Sequence, residues 1–109
     1  MRKTKRERLE AAGWKVGSTE DFLHLSPNEV ALIEMKLALA RDIRIRRLRQ
    51  KLTQNQLAKL VDSSQSRVAK MEAADATVSL DLLIRALLVL GASRKQVARI
   101  IAWEGKHAA

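Results

Sequence analysis

Gln65, Ser66, Arg67 and Lys70 stand close together in a segment of 109 residues that otherwise holds little reactive chemistry. A glutamine amide pairs bidentately with an adenine edge, and arginine or lysine donates to O6 and N7 of guanine; each good pairing discriminates by about 1–3 kcal/mol. Side chains of these types can read base edges. Catalysis has no comparable set. The chain has no cysteine, so it has no thiolate nucleophile, thiolate metal site or disulfide framework, which fits a reducing compartment. His24 and His107 lie at opposite ends and belong to no metal-ligand spacing or relay. No glycine-rich phosphate loop and no nucleophile-base pairing is present, and Asp21, Glu29, Glu34 and Asp42 read as caps and solvated helix charges. The sequence thus predicts no enzyme, no cofactor and no metal.

The residues that must position this set lie in Leu52-Thr53-Gln54-Asn55-Gln56-Leu57-Ala58-Lys59-Leu60-Val61-Asp62-Ser63-Ser64-Gln65-Ser66-Arg67-Val68-Ala69-Lys70-Met71-Glu72. Thr53 with Gln56 forms a capping box for one helix, and Ser64 caps a second from Gln65 to about Ala73. Leu57, Ala58 and Leu60 give the first an inner face. Val68 and Met71 do so for the second at i, i+3 spacing, and Ala58 is small where the two cross. The arrangement turns Gln65, Ser66, Arg67, Ala69 and Lys70 away from the core, as a major-groove reader requires.

Around this pair the chain reads all-α. Three aromatic residues, one proline and no sustained apolar-polar alternation argue against a sheet. Ser26-Pro27-Asn28-Glu29 predicts a helix start, with cap, N1 proline and capping-box glutamate in place, and the helix should run to about Lys51. Its first half carries Val30, Ile33 and Leu37 on one stripe and Ala31, Met35 and Ala38 on another, so it needs two partners. Ser79 starts a helix over Leu80–Leu90, with Leu83, Leu87 and Leu90 on one stripe and Leu82, Ala86 and Val89 beside it. Ser93 with Gln96 starts another over Arg94–Trp103, with Val97, Ile100 and Ile101 inward. Five principal helices result, the first one long. Trp103 has no fixed interior place and suits either a core cap or a dimer seam. Before them, residues 1–25 form a basic extension: a weakly held helix over Lys3–Ala12, then a short helical turn near Ser18 and Asp21 whose Phe22, Leu23 and Leu25 plug the core. Residues 26–105 form the principal domain.

Lysine plus arginine number 21 against 12 acidic residues, a net charge of +9. Such an excess favours a polyanionic partner, because phosphates held near these cations release condensed counterions. The run Arg41, Arg44, Arg46, Arg47, Arg49 and Lys51, opposed only by Asp42, contributes much of it. Helical spacing spreads these side chains around the axis, and Arg44, Arg47 and Lys51 are expected to face phosphate. The basic start, Arg2, Lys3, Lys5, Arg6 and Arg8, reads as a solvated tail that can touch DNA; it is not followed by the apolar region of a secretory signal. The apolar stretch Leu80–Leu90 is too short to span a bilayer. Cytoplasmic location is expected.

At Leu52–Glu72 the sequence resembles the XRE or Cro/repressor family of helix-turn-helix proteins. The pattern L-T-Q-x-x-L-A, then S-Q-x-x-V-x-x-M-E, then an S-L-D-x-L helix ending in glycine, matches from about Arg41 to Gly91. Gly13–Ser18, Asp21–Leu23 and Leu25–Pro27 look like a subgroup of HigA-type antitoxins found beside RelE/HigB-type toxins. The resemblance implies a five-helix, lambda-repressor-like DNA-binding domain. It gives Gln54 contact with a phosphate or with a neighbouring base-reading side chain. Gln65, Ser66 and Lys70 take groove-facing positions, Arg67 bases or backbone, and the caps Ser64 and Thr53 helix ends that face phosphate. Asp62 stands where the family has glycine, and Ser63 where it has an apolar residue. The expected function is a repressor of double-stranded operator DNA, acting as a homodimer on a palindromic site. An antitoxin or adaptor that covers a toxin protein, and a binder that uses charge alone, are the alternatives.

Overall fold

The computed structural model describes residues 25–103, which form five helices and no strand: α1 (Pro27–Arg49), α2 (Gln54–Leu60), α3 (Gln65–Glu72), α4 (Leu80–Val89) and α5 (Arg94–Ala102). The basic helix expected over Lys3–Ala12, the turn with Phe22 and Leu23, and both histidines lie outside the described residues. Each helix starts where the sequence places a cap. Ser26, Thr53 and Ser93 make full capping boxes with Glu29, Gln56 and Gln96, and Ser64 and Ser79 accept from the backbone N–H three residues on.

α1 packs against α3, α4 and α5, and α2 against α3. Leu39 and Ile43 of α1, Leu57 of α2, Val68 and Met71 of α3, and Leu83 and Leu87 of α4 are fully buried and form one core. The buried face of α1 differs from the two stripes expected: it takes in Ile33 and Ala38, one from each, with Lys36, Leu39, Ala40, Ile43 and Arg47, whereas Ala31 is exposed and Val30, Met35 and Leu37 are half-buried. Charged residues near its N-terminal side and at its end hide this face from a reading of apolar spacing. The Lys36 ammonium donates to the Ala76 carbonyl at 3.5 Å, which carries its charge out of the apolar layer. On α2, Val61 takes the inward place expected of Leu60, which is exposed, because Leu57, Ala58 and Val61 share one face. Val89 is exposed and Leu90 buried, and in α5 only Val97 is fully enclosed, with Ile100 and Ile101 half-buried.

The first four helices end alike. Lys51 (φ 57°), Asp62 (54°), Ala74 (54°) and Gly91 (95°) are left-handed, and in each case the next residue's N–H returns to a carbonyl five residues back: Leu52 to Arg47, Ser63 to Ala58, Asp75 to Lys70, Ala92 to Leu87. Three of the four pay the steric cost of a Cβ in this region. Asp62 is exposed and packs no side chain inward. Asp62→Gly is therefore expected to stabilise the fold by about 0.5–1 kcal/mol, the relief of strain exceeding the entropy gained by the unfolded chain. Urea unfolding at unchanged slope checks it; a lower midpoint would contradict it.

Between α3 and α4 the chain turns on Asp75, whose Oδ1 accepts from the Thr77 hydroxyl (2.6 Å) and backbone N–H (2.9 Å), setting Val78 into the core. The Thr77 hydroxyl and then its N–H hold the Asp75 carboxyl below its ordinary value; Lys70 and Lys36 add to this against slight desolvation. A lowered folded value means stability present above the unfolded carboxylate range and lost as pH falls through the folded one. Asp75→Asn is accordingly expected to be less stable than the parent at neutral pH, the difference closing in acid. Thermal unfolding of both chains from pH 7 to 2 measures it, and a gap independent of pH would refute the linkage.

Candidate nucleic-acid interface

α2 and α3 cross where Ala58 is 1% exposed and Val68 and Met71 are sealed, so the pair is fixed by contact across its whole inner side. The turn between them, 61–64, closes on the left-handed Asp62, with Asp62 N–H to Lys59 (3.3 Å) and Ser63 N–H to Ala58 (2.8 Å). Ser63 is exposed, so this turn lacks the apolar contact that often accompanies such an ending. Ser64 then starts α3, its Oγ accepting from the Arg67 N–H at 3.1 Å and lying 3.3 Å from Ser66 Oγ.

From that start, Gln65, Ser66, Arg67 and Lys70 are exposed on the outer side of α3, and Ala69 is half-buried. Gln65 is not left to rotate. Its Nε2 donates to Gln54 Oε1 at 2.7 Å, and Gln54 Nε2 donates to Glu72 Oε1 at 3.2 Å. Glu72, with a side chain only 5% exposed, takes the Arg47 guanidinium in a two-pronged contact, Nε to Oε2 at 2.5 Å and Nη2 to Oε1 at 3.0 Å. Arg47 Nη1 completes the set on the Leu52 carbonyl at 2.8 Å. One polar chain thus joins α1, both ends of α3, and the first residue of α2. The Glu72 hydrogen bond holds the Arg47 guanidinium above its ordinary value, with Coulomb attraction from the same carboxylate adding to it and burial opposing.

Arg47 therefore does not offer its charge to phosphate. Its three donor groups are used inside the domain and the residue is 8% exposed, a correction to the expectation from its basic neighbours. The rest of that cluster divides. Arg44, Arg49 and Lys51 are exposed; Arg46 pairs with Asp42 at 2.6 Å one turn earlier; Arg41 lies over the Trp103 ring, 5.5 Å from its centroid. The residue missed by sequence reasoning is Glu72. An acidic residue closing the Val68–Met71 inner stripe, together with an arginine one turn beyond Ile43, was the available signal.

Among the described residues no group of three or more potential metal ligands gathers, and no helix is long and apolar enough to cross a membrane. No curated protein and no solved structure matches the chain. A family model does: that of the XRE-type helix-turn-helix matches residues 43–100, from the second half of α1 into the last turn of α5. With that match laid over a lambda-repressor-like arrangement of five helices, in which α2 and α3 are the crossing pair, the chain belongs to the XRE-type helix-turn-helix family of DNA-binding regulators.

Proposed function

We propose that the chain is a sequence-specific repressor that reads operator DNA by placing α3 in the major groove. The observation that carries this reading is the outward Gln65, oriented through Gln54 by a buried ion pair. With one amide hydrogen given to Gln54, Gln65 keeps a carbonyl and a second N–H, the acceptor-donor pair that an adenine edge complements. Ser66, Arg67 and Lys70 extend the reading surface, and exposed Arg44 and Lys51 with the Ser64 cap contact phosphate. Those contacts set register and affinity without carrying sequence. Two copies related by a two-fold axis would present α3 to half-sites about 34 Å apart, on a near-palindromic site. Residues 26–105 form the reading domain, with 1–25 as its basic extension, and the protein works in the cytoplasm on its own promoter.

The test is binding to a labelled fragment from immediately upstream of the gene and to a scrambled fragment of equal length, each across a salt series. Preference for the upstream fragment by about 10³ or more is the expected result. Equal affinities that fall steeply with salt would replace this reading with charge-only binding. Absence of binding to either would replace it with action through a protein partner.

A further inference from the structure

A groove of about 340 Å³ runs between α1 and α5, clear of the Gln54–Gln65 relay. On α1 its residues are Ala38, Arg41, Asp42 and Ile45, a stripe at i, i+3, i+4 and i+7 beside the one that faces the core. Arg99, Ile100 and Trp103 close it from α5. The lining is mostly apolar, with an aromatic wall in Trp103, and the charges around it do not cancel. Asp42 is engaged by Arg46, whereas neither Arg41 nor Arg99 joins an ion pair among the described residues. Two guanidiniums that pair with no carboxylate, Arg41 lying over the Trp103 indole, and an apolar floor ask for one ligand chemistry: an anionic group on an aromatic body. The volume lies at the small end of the range for small-molecule sites.

A second copy of the chain suits this surface poorly. A two-fold contact sets the same patch against itself, so the Arg41 and Arg99 guanidiniums of both copies would share one seam with each Asp42 already taken by Arg46. A bare phosphate would leave the apolar floor uncovered. We propose that the groove binds a small aromatic carboxylate, its ring against Ile45, Ile100 and Trp103 and its carboxylate on the Arg41 and Arg99 guanidiniums. This site is independent of DNA reading by α3, and it adds a ligand-responsive surface to the domain.

The probe is 2-naphthoate, compared with the isosteric but neutral 2-naphthamide, titrated into the full chain and followed by the Trp103 indole N–H in proton-nitrogen correlation spectra. Trp103→Phe distinguishes that signal from Trp14. Saturable binding of naphthoate near ~1 mM or tighter is expected, as suits a ligand of this size. Naphthamide should bind at least about fivefold more weakly, and Arg41→Gln with Arg99→Gln should weaken naphthoate about tenfold, since charge-assisted hydrogen bonds are lost. Equal binding of acid and amide would overturn the proposal, as would an unmoved Trp103 signal. So would a dimer in sedimentation that Ile45→Arg splits into monomers, since a second copy would then close the groove. The acid-amide comparison uses the unaltered chain, so it decides the matter even where the double substitution loosens the fold.

Discussion

Glu72→Ala is expected to destabilise the fold by about 3–5 kcal/mol, because it strands the Arg47 guanidinium in the interior with one carbonyl for a partner. The loss is not the worth of the pair. Two charges taken out of water spend most of their mutual attraction on desolvation, so replacing both by apolar residues of similar volume restores much of what removing one destroys. Arg47→Met with Glu72→Leu should therefore recover most of the stability lost by Glu72→Ala alone. Urea unfolding of the parent and the two variants measures this, and the pair's burial predicts little change with added salt. The exposed Asp81–Arg85 contact, at 3.4 Å, belongs to the other regime, worth about 0.3–0.5 kcal/mol at most. A cost below about 1 kcal/mol for Glu72→Ala would mean that the ion pair does not organise the crossing of α1 and α3.

The same pair marks the boundary of what the sequence discloses. Helix starts were legible because a cap is a local object: Ser26, Thr53, Ser64, Ser79 and Ser93 each bond within three residues of themselves, so spacing alone identifies them. The outward set on α3 was legible for a related reason, since Val68 and Met71 fix the phase of a helix of eight residues. The resemblance placed Asp62 where the family has glycine, and aspartate enters the left-handed region more readily than most residues. Lys51 and Ala74 gave no such sign. Both stand in the same helix ending as Asp62, with the next N–H returned five residues back, yet neither lysine nor alanine is a residue type that favours this region.

Arg47 was expected to face phosphate with Arg44 and Lys51 because it stands in a run of six cations over eleven positions. The position lies one turn beyond Ile43, but only the fold shows that this turn is on the buried stripe, opposite a carboxylate 25 residues away. Lys36 was hidden in the same way, its ammonium reaching Ala76 forty residues on. Apolar periodicity weighs hydrophobic residues alone, so a helix whose inner stripe includes charges near one side and at its end is read in the wrong phase. The bond from Gln65 to Gln54 lay between these extremes: the resemblance offered Gln54 either a phosphate or a neighbouring base-reading side chain, and the distance of 2.7 Å makes Gln65 that neighbour.

Gln65→Ala is the substitution on which the proposed reading of DNA turns. It should abolish preference at one base pair in each half-site, at a cost of about 1–3 kcal/mol per contact, while leaving the dependence of affinity on salt unchanged. The amide carries no charge and releases no counterion, so the phosphate component stays intact. Gln54→Ala should lose less discrimination than Gln65→Ala, because it removes the partner that holds the reader and not the reader itself. With Gln65 already absent, Gln54→Ala should then add little, so the two effects fall short of their sum in a double-mutant cycle. Competition against operators altered at each position supplies the four affinities. Full additivity would show that Gln54 acts on DNA independently of Gln65, and unchanged selectivity in Gln65→Ala would remove α3 from base reading altogether.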